Sequence, residues 1–161
     1  MLKKIDVTRH IKIVEKIPFV RNLSLHQMQQ VLQAGSLETH PVGHLLCKDG
    51  EKSTAMYILL AGELAVRDGS TLLANVMPVD IVGEMGVITN QSRCATIEVV
   101  RDVTVIKVGK MQFDALLKQD VDMAARIYKN MLDSLSQKLR SNNERLSESK
   151  GQDNLLLAAS V

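Results

Sequence analysis

Between Ser36 and Val108 the chain leaves the helical period, and this change restricts its fold more than any other feature. Apolar residues come in short runs, parted by turn residues. "HLLCK" leads into Asp49-Gly50, "TAMYILL" into Gly62, "ELAVR" into Asp68-Gly69 and "TLLANV" toward Pro78, while "CATIEVV" and "VTVIKV" flank Arg101-Asp102. Short strands at this spacing, with Asp-Gly and Gly turns between them, predict an antiparallel sandwich or jelly roll.

On both sides of this region the period is helical. Ile11, Val14 and Ile17 are at helical spacing up to Pro18. Ser24 is placed to cap a helix whose apolar stripe is Leu25, Met28, Val31 and Leu32, with Gly35 closing it. After Gly109, "KMQFDALLKQD" reads as a short amphipathic helix. A long helix follows from about Asp120 to Glu148, free of Gly and Pro. Val121, Ala125, Tyr128, Leu132, Leu135, Leu139, Asn142 and Leu146 alternate spacings of four and three along it, which is an a/d seam. Such a seam either packs on the helix's own barrel or pairs two chains in parallel. Its length favours pairing, with Asn142 helping to set register. Lys150-Gly151 is expected to end the helix, leaving an apolar tail, residues 155–161, of no assigned use.

The expected fold is α+β and mainly β: an antiparallel β jelly-roll barrel flanked by N-terminal helices and a long C-terminal helix. The parts are a helical segment (1–35), the jelly roll (36–109), the C-terminal helices (110–148) and a tail (149–161). The 161 residues allow one domain with a single core.

Several function classes fit poorly. A net charge of +2 without Lys/Arg clusters does not make a nucleic-acid surface, and four aromatic residues with no tryptophan do not make a base-stacking platform. The first sixteen residues are broken by charges and hold no signal-peptide core. No apolar run approaches the ~18 residues of a membrane span. The expectation is a cytoplasmic protein bound neither to DNA nor to a membrane. Cys47 and Cys94 form no C-x-x-C pair, and His10, His26, His40 and His44 show no metal-ligand spacing. No nucleophile elbow is present, so an enzyme is not expected.

The chemistry concentrates in "IVGEMGVITNQSRCATIEVV", Ile81 to Val100. Gly83 and Gly86 let the backbone turn sharply around Glu84. "GEMGVIT" can form one helical turn whose free N–H groups favour an anion. Arg93 can offer the same anion a planar fork. Glu84 cannot share a phosphate with Arg93, but it suits a hydroxyl. The pair therefore describes a site for a phosphorylated sugar. The plainer reading of the same residues is a solvated Glu84–Arg93 ion pair, worth roughly 0–1 kcal/mol.

The stretch resembles the phosphate-binding cassette of the cyclic nucleotide-binding domain family. That pattern runs Phe-Gly-Glu-Leu-Ala, a variable loop, then Arg-Ala-Ala-Thr or Arg-Thr-Ala-Thr. Here Val82-Gly83-Glu84-Met85-Gly86 and Arg93-Cys94-Ala95-Thr96 hold those places, within residues 82–96, and the Glu-to-Arg interval matches protein kinase A regulatory subunits. "KIPFVRNLS", Gly43, Asp49-Gly50-Glu51, "MYILLAGEL" and the Phe113 helix also fall at family-like intervals.

The resemblance implies that Glu84 accepts from the ribose 2′-hydroxyl and that Arg93 pairs with the cyclic phosphate. It also implies that N–H groups of Met85, Gly86, Cys94 and Ala95 complete the anion shell. Cys94 stands where cyclic-GMP-selective members often carry Thr. A thiol is a weak donor, so cyclic AMP is favoured over cyclic GMP. Ser92 replaces a common Pro and Val82 a common aromatic. Alignment with catabolite activator-like proteins places Ser134 and Lys138 near the purine as a lid, a solvated helix lysine being the plainer reading of Lys138. Tyr128 fits the seam better than a base stack.

The implied function is a sensor module needing no cofactor beyond its nucleotide ligand. It would transmit binding through the long helix to a homodimer formed by residues 121–146, or to an effector protein not identified by the sequence. Thirteen residues follow Glu148, too few for a helix-turn-helix, so a free-standing domain or a fragment of something larger is expected. The alternative is a ligand-silent barrel kept as a dimerisation or docking scaffold. A cyclic dinucleotide is a further ligand the sequence leaves open.

Overall fold

The computed structural model of the chain describes residues 7–159, with side chains over residues 10–149. Helix α1 (Val7–Val14), a 3-10 turn (Pro18–Val20) and α2 (Leu25–Gln33) come first. Strands β1 (Gly35–His40), β2 (Leu45–Cys47), β3 (Ala55–Asp68), β4 (Thr71–Val76) and β5 (Ile81–Val82) follow. Helix α3 (Glu84–Thr89), strand β6 (Thr96–Gly109) and helices α4 (Lys110–Gln119) and α5 (Val121–Ala159) complete the order. Ser24 caps α2 as expected. Its hydroxyl accepts from the Gln27 N–H at 3.1 Å, and the Gln27 side chain accepts from the Ser24 N–H at 3.0 Å, so two otherwise orphaned donors are satisfied.

All strand pairs are antiparallel, and β3 and β6 are the spine. β3 also pairs with β5 at Tyr57 and Ile58 and with β4 over Leu64–Asp68. β6 pairs with β1 over Val103–Val108 and with β2 at Ile97 and Glu98. The ordered path β1-β6-β3-β4 does not close on itself. β1, whose "GSLETH" lacks a clear apolar alternation, was not foreseen as a separate strand.

Two expected breaks are not breaks. Gly62 and Arg101-Asp102 lie inside fourteen-residue strands. The β3–β6 register shifts around Ala61 and Glu63. Gly62 has φ +89°, and a Cβ there would lie 2.8 Å from the Val103 Cα and collide with the Asp102 carbonyl. The glycine marks a bulge and a close backbone approach rather than a turn.

The first six residues of β3, Ala55–Leu60, are all buried and form a continuous apolar run. Met56, Ile58 and Leu60 face a core shared with the helices, including Phe19, Phe113 and Ile127. Ala55, Tyr57, Leu59 and Leu64 face a second core within the folded sheet, with Val82, Val99 and Val105.

Lys150-Gly151 does not end α5, which runs on to Ala159. One interior glycine costs a helix only ~1 kcal/mol relative to alanine, and "NLLLAA" beyond it contains good helix formers. Side chains of the apolar 155–161 segment lie outside the described residues. The α5 residues facing the core are Met123, Ala124, Ile127 and Met131. The expected a/d seam lies on the other side: Val121, Tyr128, Leu132, Leu139 and Leu146 are all exposed. The reading in which the seam packs on its own barrel is therefore not what the structure shows. Asn130, buried, donates to the Phe19 and Arg21 carbonyls at 3.0 and 2.7 Å, which ties the 3-10 turn to α5.

Candidate functional site

The site is built where β5 ends and α3 begins. Gly83 caps α3 with φ +77°. A side chain there would be strained and would run into the Arg93 guanidinium, so only glycine serves. Glu84 opens the helix with only 5% of its surface exposed, and Arg93 is equally deep at 7%. Gly86 has an ordinary backbone but no room: a Cβ would sit 2.6 Å from the Ser53 Cβ and 2.9 Å from the Gln91 carbonyl oxygen. The family's Ala at this place is excluded here by Ser53.

Glu84 and Arg93 do not pair. The Arg93 Nη1 donates to the Gly83 carbonyl at 2.9 Å and Nη2 to the Ala55 carbonyl, while Nε has no partner among the described residues. The arginine backbone is pinned to the preceding turn: Gly50 N–H donates to the Arg93 carbonyl at 2.9 Å and Arg93 N–H to the Glu51 carbonyl at 2.8 Å. The Asp49 N–H adds a bond to the Thr96 hydroxyl at 3.1 Å. Asp49-Gly50-Glu51 thus holds the Arg93 strand end in place.

Glu84 takes a different cation. Lys138 Nζ on α5 lies 3.3 Å from Glu84 Oε1, 3.3 Å from the Ile81 carbonyl and 3.7 Å from Asp80 Oδ1. Ser134, one turn earlier, lines the same narrow cleft as Phe19, Asp80, Ile81, Glu84 and Met131; its free volume is about 10 Å³, room for no more than one water. Of the two residues expected as a lid, Lys138 thus contacts Glu84 and Ser134 lines the cleft beside it.

Among the remaining cassette residues, Met85 is half-exposed, Ala95 is buried and Cys94 is exposed. Cys47 lies behind Ala95, its thiol directed at the Ala95 carbonyl at 3.9 Å. Burial pushes the Cys47 thiol pKa up, with nearby Arg93 opposing. Val79, just ahead of β5, has φ +72°, a strained value for a β-branched residue. It is held there by bonds of 2.9 Å from Val79 N–H to the Leu59 carbonyl and from Leu59 N–H to the Asp80 carbonyl. The sequence reading missed Ser53, which is buried with a hydroxyl lacking any partner among the described residues. Its one signal was Gly86 in place of alanine. Among the described residues, no cluster of three His, Cys, Asp or Glu side chains could hold a metal ion.

The profile of the cyclic nucleotide-binding domain family matches residues 37–120, just over half of the 161. The chain belongs to the cyclic nucleotide-binding domain family. It is 32% identical over 100 residues to the Pycsar effector protein XpPycTIR of Xanthomonas perforans, covering 62% of this chain and 33% of that protein. It is 26% identical over 106 residues to the cAMP-dependent protein kinase regulatory subunit of Neurospora crassa, covering 65% and 28%. The chain thus spans about a third of these relatives' length.

Solved structures share the fold. The regulatory domain of Toxoplasma gondii PKA with cAMP has a TM-score of 0.64 at 22% identity, over 71% of this chain and 46% of that one. Thermus thermophilus catabolite activator protein gives 0.69 at 20%, over 81% and 62%. The N-terminal domain of a Streptomyces coelicolor transcriptional regulator gives 0.68 at 20%, over 82% and 95%. The mainly antiparallel sheet, flanking helices and long C-terminal helix are those of the family's β-barrel fold.

Proposed function

We propose that this domain is a sensor that prefers cyclic AMP over cyclic GMP and reports binding through α5. In this reading Glu84 accepts from the sugar hydroxyl and Arg93 pairs with the cyclic phosphate. Gly83 shapes the turn, and N–H groups of Met85, Gly86, Cys94 and Ala95 complete the anion shell. Ser134 lines the cleft from α5, and Lys138 meets Glu84 at its edge. One observation carries the reading: two buried, oppositely charged side chains are held at the two ends of one short loop without pairing to each other. The unpartnered Arg93 Nε and Ser53 hydroxyl beside the cassette support a site with donors to spare.

The exposed seam on α5 supports a homodimer through residues 121–146, with an effector protein as the next partner. A cytoplasmic setting fits two free cysteines, and no helix among the described residues is long and apolar enough to cross a membrane. The role assigned is binding, with no chemical step. A second reading draws on a specific observation. The Arg93 fork is already engaged by two backbone carbonyls, as a ligand-silent scaffold would have it.

Thermal unfolding with the four common 3′,5′-cyclic nucleotides separates the two readings. At 100 times its Kd a ligand adds ~2.7 kcal/mol, raising the midpoint of a chain this size by roughly 5–11 °C. Cyclic AMP is expected to give the largest shift at equal concentration. No shift with any of the four favours the scaffold.

A further inference from the structure

The contact between Lys138 and Glu84 joins the long helix to the cassette across 54 residues of sequence. Glu84 has a side chain only 7% exposed. A carboxylate that deep gains from a compensating partner. Arg93, at the other end of the loop, does not fill this role because its guanidinium is turned to the Gly83 and Ala55 carbonyls. Lys138 fills it from α5, and it also reaches the Ile81 carbonyl and Asp80.

We propose that Lys138 is a latch on Glu84: without ligand it occupies Oε1, the acceptor that the sugar hydroxyl takes on binding. Hydroxyl recognition and release of this segment of α5 are then one event. The inference rests on the reading of Glu84 as the hydroxyl acceptor. The geometry suits a contact meant to open. At 3.3 Å the Lys138–Glu84 distance exceeds the 2.7–2.9 Å of a tight charge-assisted bond. The lysine side chain is 41% exposed, so its ammonium can turn to water or keep Asp80 and the Ile81 carbonyl when it gives up Glu84. A lysine is a mobile point charge, without the fixed fork by which arginine would hold the carboxylate in two places. Lys138 is therefore a positioning residue that acts on the ligand through Glu84.

A ligand without the hydroxyl does not contest the latch, and this separates the proposal from other roles. Dissociation constants are measured for cyclic AMP and 2′-deoxy cyclic AMP, with cyclic GMP and its 2′-deoxy analogue alongside, on the wild type and Lys138→Met. Methionine keeps the stem and is a good helix former, and the free proteins' unfolding midpoints confirm that the variant folds. Lys138→Met is expected to bind the ribose nucleotides roughly two- to fivefold more tightly and the 2′-deoxy nucleotides unchanged, so the ratio between them widens. Equal weakening of both would overturn the latch and make Lys138 a direct ligand contact. An unchanged ratio in a variant that binds normally would reduce it to a structural contact. Failure of the wild type to bind any of the four would instead remove the nucleotide reading, and the latch with it.

Discussion

Cys94 and Cys47 differ in the property that makes a thiol useful as a probe. Cys94 is exposed beside Arg93, while Cys47 is buried and burial holds its thiol pKa above the usual value, which keeps it protonated and unreactive near neutral pH. An alkylating reagent is therefore expected to modify one thiol in the folded protein and a second only after unfolding. If Cys94 sits against the bound phosphate, saturating cyclic AMP slows the first reaction. Mass spectrometry of the labelled protein checks both statements, and equal labelling of the two cysteines would contradict the burial argument. Gly86 and Ser53 explain each other in the same local way: the glycine leaves room for a buried hydroxyl, so neither residue's identity is free of the other's.

Single side-chain bonds supplement the apolar core in fixing the helices, and one of these joints, between α2 and the start of α5, is acid-sensitive. Asp120 lies at the start of α5, accepting from the Met123 N–H at 2.9 Å and from the Gln27 side chain of α2 at 2.9 Å. These bonds, the backbone one foremost, lower its pKa from the ordinary 3.8. A depressed folded-state pKa means the contribution is complete above the ordinary value and is lost as pH falls through the folded-state value. Asp120→Asn keeps a good capping group but cannot titrate. Its stability is expected to fall less steeply than the wild type's below pH 3.8, as followed by denaturant midpoints across that range. What the sequence revealed of such elements followed from locality. Ser24 announces itself because its capping partner Gln27 is three residues away, and Gly83, Glu84 and Arg93 because they fall together in one short motif. The Gly62 bulge against Asp102 and Val103 and the Lys138 contact with Glu84 depend on residues far along the chain, and no period or motif encodes them. The end of α5 was misplaced for a different reason: Gly151 is a weak helix breaker between good helix formers.

For the molecule as a unit, the long helix turns one face to the core and presents an apolar stripe to solvent, with Leu132 67% exposed and Leu139 and Leu146 each 61%. Leu132→Glu with Leu139→Glu places like charges in the seam of a paired helix. Sedimentation at micromolar concentration is expected to show a wild-type dimer and a monomeric, folded variant. A monomeric wild type would remove the seam's assigned role. The central claim, however, concerns the cassette, and calorimetric titration of wild type and Arg93→Ala with cyclic AMP tests it most directly. Removing the guanidinium leaves a buried phosphate partly unpaired, at roughly 2–5 kcal/mol, which is about 30- to several-thousand-fold in affinity. The account predicts saturable binding by the wild type and no measurable heat from Arg93→Ala at micromolar ligand; wild-type-like affinity in a folded Arg93→Ala protein would contradict it.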